Sequence, residues 1–271
     1  MMKDITLGQY YPGDSIIHKA DPRAKIIVAI LYITAIFIAK SMVSYAAVLL
    51  SVIVLIAISR VSLSILLKGV KPLLYIIVFT AVMNILFTTG KEPILSWWII
   101  KIYPEGLKTA GIMVMRIIVL IMGSSLILIY TTTPIALTDG IEQLLAPLKK
   151  IKVPVHDFAM MMTIALRFIP TLLEETDKIM NAQKARGADF STGSIIERGK
   201  ALVPVLVPLF VSAFRRADDL AVAMECRCYR GDDGRTRMTV LRFAARDYIL
   251  IIGSVVFCAL LIFANIYFGK I

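Results

Sequence analysis

Residues 248–268 form an apolar stretch with no charged side chain, and this feature most constrains the fold. A helix needs ~17–25 mostly apolar residues to cross the ~30 Å hydrocarbon core of a bilayer. Comparable stretches occur at residues 72–87 and 112–131, while residues 26–58 are long enough for two crossings. Hydrophobic residues make up 58% of the 271 residues, more than a soluble core can bury. The chain is therefore predicted to be an all-α, polytopic membrane protein.

Five transmembrane helices are predicted, because Lys40 and Ser41 interrupt residues 26–58 and favour a hairpin near residues 40–45. Four spans lie in an N-terminal membrane region, residues 1–131, and the fifth occupies residues 248–271. Residues 132–247 between them are predicted to form a helical domain in the cytoplasm.

Basic residues indicate the orientation of the chain. They are more frequent before the first predicted span and between the second and third spans than in the opposite loops. Because basic loops stay in the cytoplasm, we expect a multi-pass protein with a cytoplasmic N-terminus and an external C-terminus. The same bias accounts for the net charge of +11, so nucleic acid is not expected as a partner, whereas the lipid bilayer is.

Motifs of catalysis are scarce. His18 and His156 lie far apart and lack the H-E-x-x-H spacing of a metal-dependent hydrolase. The sequence contains no G-x-x-x-x-G-K-[ST] phosphate-binding loop, so the chain itself is not expected to bind ATP. Catalytic residues, metal ligands and cofactors are therefore not predicted.

Two alternative functions stay open at this point. A stand-alone secondary permease would need ionisable groups within the membrane, but the spans carry little beyond Asn84 and Arg116. An intramembrane enzyme is less favoured, because the adjacent Glu174 and Glu175 lie outside the predicted spans.

Two similar helical segments in the polar region each end in an arginine. Superposing Arg186 on Arg227 also superposes Asp177 on Asp218, Ile179 on Leu220 and Ala182 on Ala223. A cation at a helix C-terminus is favoured by the helix dipole. An arginine between small residues can also enter a groove on a partner and donate several hydrogen bonds there. The repetition therefore predicts two equivalent docking segments, the first ending in a left-handed cap at Gly187.

These segments belong to a longer series of motifs whose order and spacing are specific. In chain order the motifs are Tyr11-Pro12-Gly13-Asp14-Ser15, His18 with Asp21-Pro22-Arg23, Thr132-Thr133-Pro134, Gly140-Ile141-Glu142, Ala165-Leu166-Arg167-Phe168-Ile169-Pro170, Ala182-Gln183-Lys184-Ala185-Arg186-Gly187-Ala188-Asp189-Phe190 and Met224-Glu225-Cys226-Arg227-Cys228-Tyr229-Arg230-Gly231. Over essentially its whole length the chain resembles the transmembrane T component of energy-coupling factor (ECF) transporters.

The resemblance implies a coupling domain with two Ala-Arg-Gly-like motifs, each of which docks into one ATP-binding-cassette ATPase subunit. The first motif is Ala185, Arg186 and Gly187; the second is Cys226, Arg227 and Cys228. The second keeps its arginine but has cysteine on both sides. Because cysteine lacks glycine's backbone freedom, the sequence leaves open whether the second motif shares the left-handed conformation expected at Gly187. A valine is accordingly expected to be more harmful at position 187 than at position 228.

Residues 201–214 form an apolar segment with two prolines that is too short to cross the bilayer. It is either a buried helix of the helical domain or a surface offered to another membrane subunit. The second interpretation assigns a substrate-subunit contact to Pro204, Leu206, Pro208 and Phe210.

The resemblance thus implies the non-catalytic scaffold subunit of an ATP-driven vitamin or metal-ion importer in a prokaryotic plasma membrane. Its partners would be two ATPase subunits and a separate substrate-binding membrane subunit. The chain would pass the motion of the ATPases to that third subunit.

Overall fold

The computed structural model describes residues 10–90, 95–97, 100–190, 192, 194–231 and 240–269. Among them the chain forms nine α-helices and two short strands. In chain order these are α1 (Pro22–Ile38), α2 (Met42–Ser59), α3 (Leu63–Val70), α4 (Leu74–Phe87), β1 (Leu95–Trp97), β2 (Ile100–Ile102), α5 (Pro104–Ser124), α6 (Pro134–Leu145), α7 (Val155–Ala185), α8 (Ile195–Cys226) and α9 (Ala245–Tyr267).

The chain divides into two compact units. The described residues between Glu142 and Val240 form one unit, here called the helical unit, which contains α7 and α8. The described residues up to Ile141 and from Leu241 onward form the other, here called the membrane unit. The boundaries predicted for the helical domain, residues 132 and 247, differ from those of the helical unit. The role of that domain remains a prediction.

Four helical segments within the described residues are long and apolar enough to span a bilayer. They are Met42–Ser59, Leu63–Phe87, Pro104–Ile129 and Ala245–Tyr267. The second joins α3 to α4 through a 3-10 turn, and the third extends α5 by the π-helical segment Ser125–Ile129. The all-α, polytopic class is confirmed. Helix α1 has 17 residues, at the lower limit for a crossing, so the first of the five predicted spans stays a prediction.

A tight connection at residues 39–41 separates α1 from α2, slightly earlier than the hairpin predicted near residues 40–45. The side chain of Asn265 in α9 explains this position. Its Oδ1 accepts hydrogen bonds from the backbone N–H groups of Lys40 and Ser41, at 3.0 and 3.1 Å, and from the Ser44 hydroxyl at 2.8 Å. The donors at the hairpin are satisfied by a residue more than 220 positions away, which the local sequence does not reveal.

Strands β1 and β2 pair antiparallel in the connection between α4 and α5, with Leu95 opposite Ile102. They are three residues long each and leave the all-α class unchanged.

The core of the membrane unit is apolar and closely packed. Tyr32 and Ile36 of α1 are buried against side chains of α2, α5 and α9 that include Val48, Val119 and Leu261. A side chain at Gly123 of α5 would collide with the ring of Tyr32, so glycine is required there for the close approach of α1 and α5.

A buried polar network fixes the start of α1, and it is made by the N-terminal motif Asp21-Pro22-Arg23. The fully buried Asp247 of α9 accepts hydrogen bonds from the backbone N–H of Asp21, at 2.8 Å, and from that of Ala244, at 2.7 Å. Asp21 caps α1 by accepting from the backbone N–H of Arg23 at 2.9 Å, and Pro22 occupies the first turn. The motif thus ties the start of α1 to the start of α9.

Lys25 and Arg23 complete this network. The ammonium group of Lys25 donates to the carbonyls of Thr131 and His18, at 2.7 and 3.1 Å, and to the Thr132 hydroxyl at 3.2 Å. The guanidinium of Arg23 pairs with the Asp21 carboxylate at 2.9 Å and lies 4.2 Å from the centre of the Phe243 ring. Burial alone would raise the pKa of Asp21, but the hydrogen bonds and charge of Arg23 keep that pKa below its ordinary value.

Candidate docking motifs at two helix ends

Helix α7 ends with Arg186 as its C-cap residue. The N–H of Gly187 donates to the Lys184 carbonyl at 3.0 Å, and the N–H of Ala188 donates to the Gln183 carbonyl at 3.0 Å. Gly187 has a φ of +88°, so the predicted left-handed cap is confirmed. This pair of bonds is the Schellman motif, which satisfies carbonyls that the last helical turn leaves without partners.

Helix α8 ends in the same way, with Arg227 as its C-cap residue. The N–H of Cys228 donates to the Glu225 carbonyl at 2.8 Å, and the N–H of Tyr229 donates to the Met224 carbonyl at 3.0 Å. Cys228 has a φ of +54°, the left-handed region in which L-residues are strained. The left-handed conformation predicted for Gly187 therefore occurs in both motifs. Cys228 adopts it without glycine's backbone freedom.

All six motif residues are exposed: Ala185, Arg186, Gly187, Cys226, Arg227 and Cys228. Within the part of the chain that the structure describes, neither arginine side chain makes a hydrogen bond or ion pair. Each guanidinium lies beside the negative end of a helix dipole, which stabilises its charge. The small flanking side chains leave both guanidinium groups sterically accessible.

Helices α7 and α8 pack against each other in an antiparallel arrangement. In the middle of the pair, the Arg216 guanidinium of α8 lies 2.7 Å from the Glu175 carboxylate of α7. Beyond Arg227, the Tyr229 hydroxyl lies 3.1 Å from the sulfur of Met160, near the start of α7. The second motif therefore lies at the opposite end of α7 from Arg186. At about 1.5 Å per residue, the helix between Met160 and Arg186 is roughly 39 Å long.

The ion pair between Glu175 and Arg216 was not predicted from the sequence. Glu175 accepts hydrogen bonds from Ser212 and Arg216, and these together with the charge of Arg216 keep its pKa below the ordinary value. The two residues are far apart in sequence, and only the antiparallel packing of α7 and α8 brings them together.

The start of α8 was also missed, although the sequence carries a signal for it. The Ser194 hydroxyl accepts from the Glu197 N–H at 3.4 Å, and the Glu197 carboxylate accepts from the Ser194 N–H at 2.8 Å. This reciprocal pair is a capping box, which the pattern S-x-x-E at residues 194–197 predicts.

The apolar segment of residues 201–214 lies inside α8, which continues through Pro204 and Pro208. Both prolines are exposed, as are Leu206 at 46% and Phe210 at 61% of their full surface, whereas Val205 is buried. Because the four exposed residues are two positions apart, Pro204 and Pro208 lie on a different side of the helix from Leu206 and Phe210. The segment thus exposes apolar side chains on more than one side, and an extended apolar patch is typical of an interaction surface. These exposures favour the surface interpretation over a helix buried within this chain.

Other residues considered in the sequence analysis have structural contacts. Arg116 donates to the Ala39 carbonyl at 3.1 Å and to the Tyr45 hydroxyl, which ties α5 to the hairpin between α1 and α2. His156 lies 3.0 Å from the buried carboxylate of Glu142. Among the described residues, no group of three or more histidine, cysteine or acidic side chains could hold a metal ion.

The fold and the two helix ends define a class: an all-α, polytopic membrane protein with a long antiparallel helix pair that carries two matching arginine motifs. Comparison with known proteins identifies the family. A family model described as "Cobalt transport protein" (CbiQ) matches residues 13–238.

Several curated proteins named "Energy-coupling factor transporter transmembrane protein EcfT" are similar to this chain. The one from Clostridium kluyveri is 52% identical over 271 residues, covering 100% of both chains. The one from Ruminiclostridium cellulolyticum is 55% identical over 257 residues, covering 95% of this chain and 96% of the relative. The one from Bacillus subtilis is 48% identical over 263 residues, covering 97% and 99%. The chain therefore belongs to the family of transmembrane proteins of ECF transporters, and the resemblance seen in the sequence is confirmed.

Proposed function

We propose that this chain is the coupling subunit of an ATP-driven importer of vitamins or metal ions, and that Arg186 and Arg227 each dock one ATP-binding-cassette ATPase. The observation that carries this proposal is the repetition of one geometry. Two exposed arginines cap two helices with the same hydrogen-bond pattern, at opposite ends of α7.

The distance between the motifs supports two docking partners instead of one. Roughly 39 Å of helix separates them, which exceeds the diameter of a small domain. The Glu175–Arg216 ion pair joins the two helices between the motifs. If each motif is held by one ATPase, closure of the ATPase dimer would move the two motifs relative to each other. This movement would change the angle between α7 and α8. In this mechanism the chain transmits motion and performs no chemistry itself.

The exposed apolar segment of α8, residues 201–214, is the proposed contact for a substrate-binding membrane subunit. Pro204, Leu206, Pro208 and Phe210 lie on the helix that carries Arg227 at its end, so movement of the second motif would move this segment as well. We further place the N-terminus in the cytoplasm and the C-terminus outside, in a prokaryotic plasma membrane, because basic residues favour the cytoplasmic side.

Copurification tests the ATPase contacts. The variant Arg186→Glu with Arg227→Glu should lose both ATPases from the detergent-solubilised complex, because a carboxylate replaces a donor of charge-assisted hydrogen bonds. Each single variant should weaken one contact. Arg215→Glu is the matched control, since Arg215 is also exposed on α8 but lies outside the motif. Full recovery of both ATPases with the double variant would reject the proposal.

A second copurification tests the apolar segment. Leu206→Asp or Phe210→Asp should release the substrate-binding subunit and leave the ATPases bound, because an unpaired charge would be buried in an apolar contact. Ile196→Asp is the control, since Ile196 is 72% exposed at the start of the same helix. Retention of every subunit by both variants would rule out this contact, whereas loss of the ATPases as well would indicate misfolding of α8.

A further inference from the structure

A groove runs along the membrane unit between α2 and α9, with a volume of about 680 Å³. Helices α2 and α9 form its walls, and Val28, Tyr32 and Ile127 form its floor. The lining is almost wholly apolar. Both walls belong to helices that are apolar and long enough to span a bilayer, so the groove opens into hydrocarbon and not into water.

The groove is long enough and apolar enough for an extended hydrocarbon chain. It extends from Val43 to Ile58 of α2, a rise of roughly 22 Å at about 1.5 Å per residue. Gly253 widens the groove at the α9 wall, because no atom lies within 4 Å of the position that a Cβ would occupy.

Two arginines lie at one end of this groove. Helices α1 and α9 run parallel, since Asp21 contacts Asp247 at their starts and the Ile38 carbonyl accepts from Asn265 at their ends. Helix α2 returns in the opposite direction, so Arg60 after its last residue lies at the same end as Arg246 in the first turn of α9.

The arginines also adjoin the lining of the groove. Ile58 and Ile249 line it, two and three residues from Arg60 and Arg246 respectively. Both arginines are exposed, and neither forms a salt bridge within the described residues. The groove therefore combines an apolar interior with a doubly cationic mouth.

We propose that this groove binds an anionic phospholipid, with an acyl chain between α2 and α9 and the headgroup phosphate between Arg60 and Arg246. Basic residues at the membrane surface between transmembrane helices attract anionic headgroups, and arginine donates bidentate hydrogen bonds to phosphate. The groove is a separate feature from the two arginine motifs of the helical unit, and the inference does not depend on their docking role.

Native mass spectrometry of the full-length chain, isolated with its associated subunits and titrated with phosphatidylglycerol or phosphatidylcholine, tests the proposal without measuring transport. The wild type should retain phosphatidylglycerol in preference to phosphatidylcholine by roughly tenfold. Arg60→Gln with Arg246→Gln should abolish this preference. Its control is Lys40→Gln with Lys108→Gln, which removes two exposed charges near the α1–α2 hairpin and the start of α5 and should have no effect.

The groove itself is tested by Gly253→Leu, which should reduce retention of both lipids because the side chain fills the open space. Gly111→Leu is the matched control, since Gly111 also has open space before it but lies on α5, outside the groove. Equal retention of the two lipids by the wild type would overturn the proposal. Unchanged lipid retention in both Gly253→Leu and the double variant Arg60→Gln with Arg246→Gln would overturn it as well. Lipid bound by the isolated chain but absent from the assembled complex would show that a partner occupies the groove instead.

Discussion

The two units use arginine in opposite ways. In the membrane unit, Arg23 pairs with Asp21 and covers the Phe243 ring, and Arg116 donates to the Ala39 carbonyl. In the helical unit, Arg186 and Arg227 are exposed beyond the ends of their helices. Arg23 and Arg116 hold elements of this chain together. Arg186 and Arg227 are instead accessible to other molecules. The comparison predicts that substitutions in the first network change stability and substitutions in the motifs change assembly.

The largest loss of stability is expected from Asp247→Ala. This change leaves the buried backbone N–H of Asp21 and the partly buried backbone N–H of Ala244 without their acceptor, which should lower the free energy of unfolding by about 3 kcal/mol. Denaturant unfolding of the monodisperse protein in detergent measures the loss. Asp218→Ala, at an exposed position of α8, is the control and should change it by less than about 0.5 kcal/mol. Similar losses of stability in Asp247→Ala and Asp218→Ala would contradict the expected difference between the two units.

Gly187→Val should have the next largest effect, a loss of about 2 kcal/mol, because a β-branched residue is strained at a φ of +88°. The same unfolding measurement applies. Gly199→Val is the matched control, since Gly199 also has open space around it but has ordinary helical backbone within α8. A comparable loss at position 199 would mean that the backbone conformation of the cap is not the cause.

Cys228→Gly should stabilise the protein by about 1 kcal/mol, because glycine adopts a φ of +54° without strain. Cys226→Gly, inside the last turn of α8, should instead destabilise it. Cys228→Val should still be milder than Gly187→Val, as expected from the sequence, but for a different reason: the wild-type cysteine already bears part of the strain. No gain in stability from Cys228→Gly would indicate that position 228 does not adopt this conformation in solution.

A smaller effect is expected from pH through Glu175. Hydrogen bonds from Ser212 and Arg216 hold its pKa below the ordinary value of 4.5, so its stabilising contribution is complete above that pH. The contribution is lost as the pH falls through the lowered pKa. The wild type should therefore be more stable than Glu175→Gln at neutral pH, and the difference should disappear in acid. A difference that is independent of pH would exclude this ion pair as its source. The partial exposure of the pair keeps the effect small.

A change in stability of only about 1 kcal/mol is expected from Arg186→Glu with Arg227→Glu, because neither side chain has a partner among the described residues and only the interaction with the helix dipoles is reversed. Arg23→Glu, which removes a partner of Asp21, should be clearly destabilising in the same assay. A large loss of stability in the double motif variant would mean that its effect on copurification reflects unfolding instead of docking.

Local sequence patterns determined the class of this protein and the positions of its candidate motifs. Uninterrupted apolar residues predict membrane helices because a single segment can satisfy its own backbone hydrogen bonds within the bilayer only as a helix. Gly187 predicts a left-handed cap because glycine alone adopts positive φ without strain. The two arginine motifs could also be predicted from the sequence, because the end of a helix is encoded within a few residues.

Contacts between distant residues decided what the sequence left open. Proline disfavours the interior of a helix, yet α7 and α8 continue through Pro170, Pro204 and Pro208. Each proline removes one backbone hydrogen bond from its helix. The contacts between α7 and α8 are tertiary interactions that the local sequence does not reveal. In the same way, the bonds around Cys228 hold a residue in a conformation that its own preference disfavours. The sequence by itself therefore determined which segments are helical and apolar and where they end in arginine. The antiparallel pairing of α7 with α8, the tie between Asp21 and Asp247 and the groove beside Gly253 depend on tertiary packing, because their partners lie far apart in the chain.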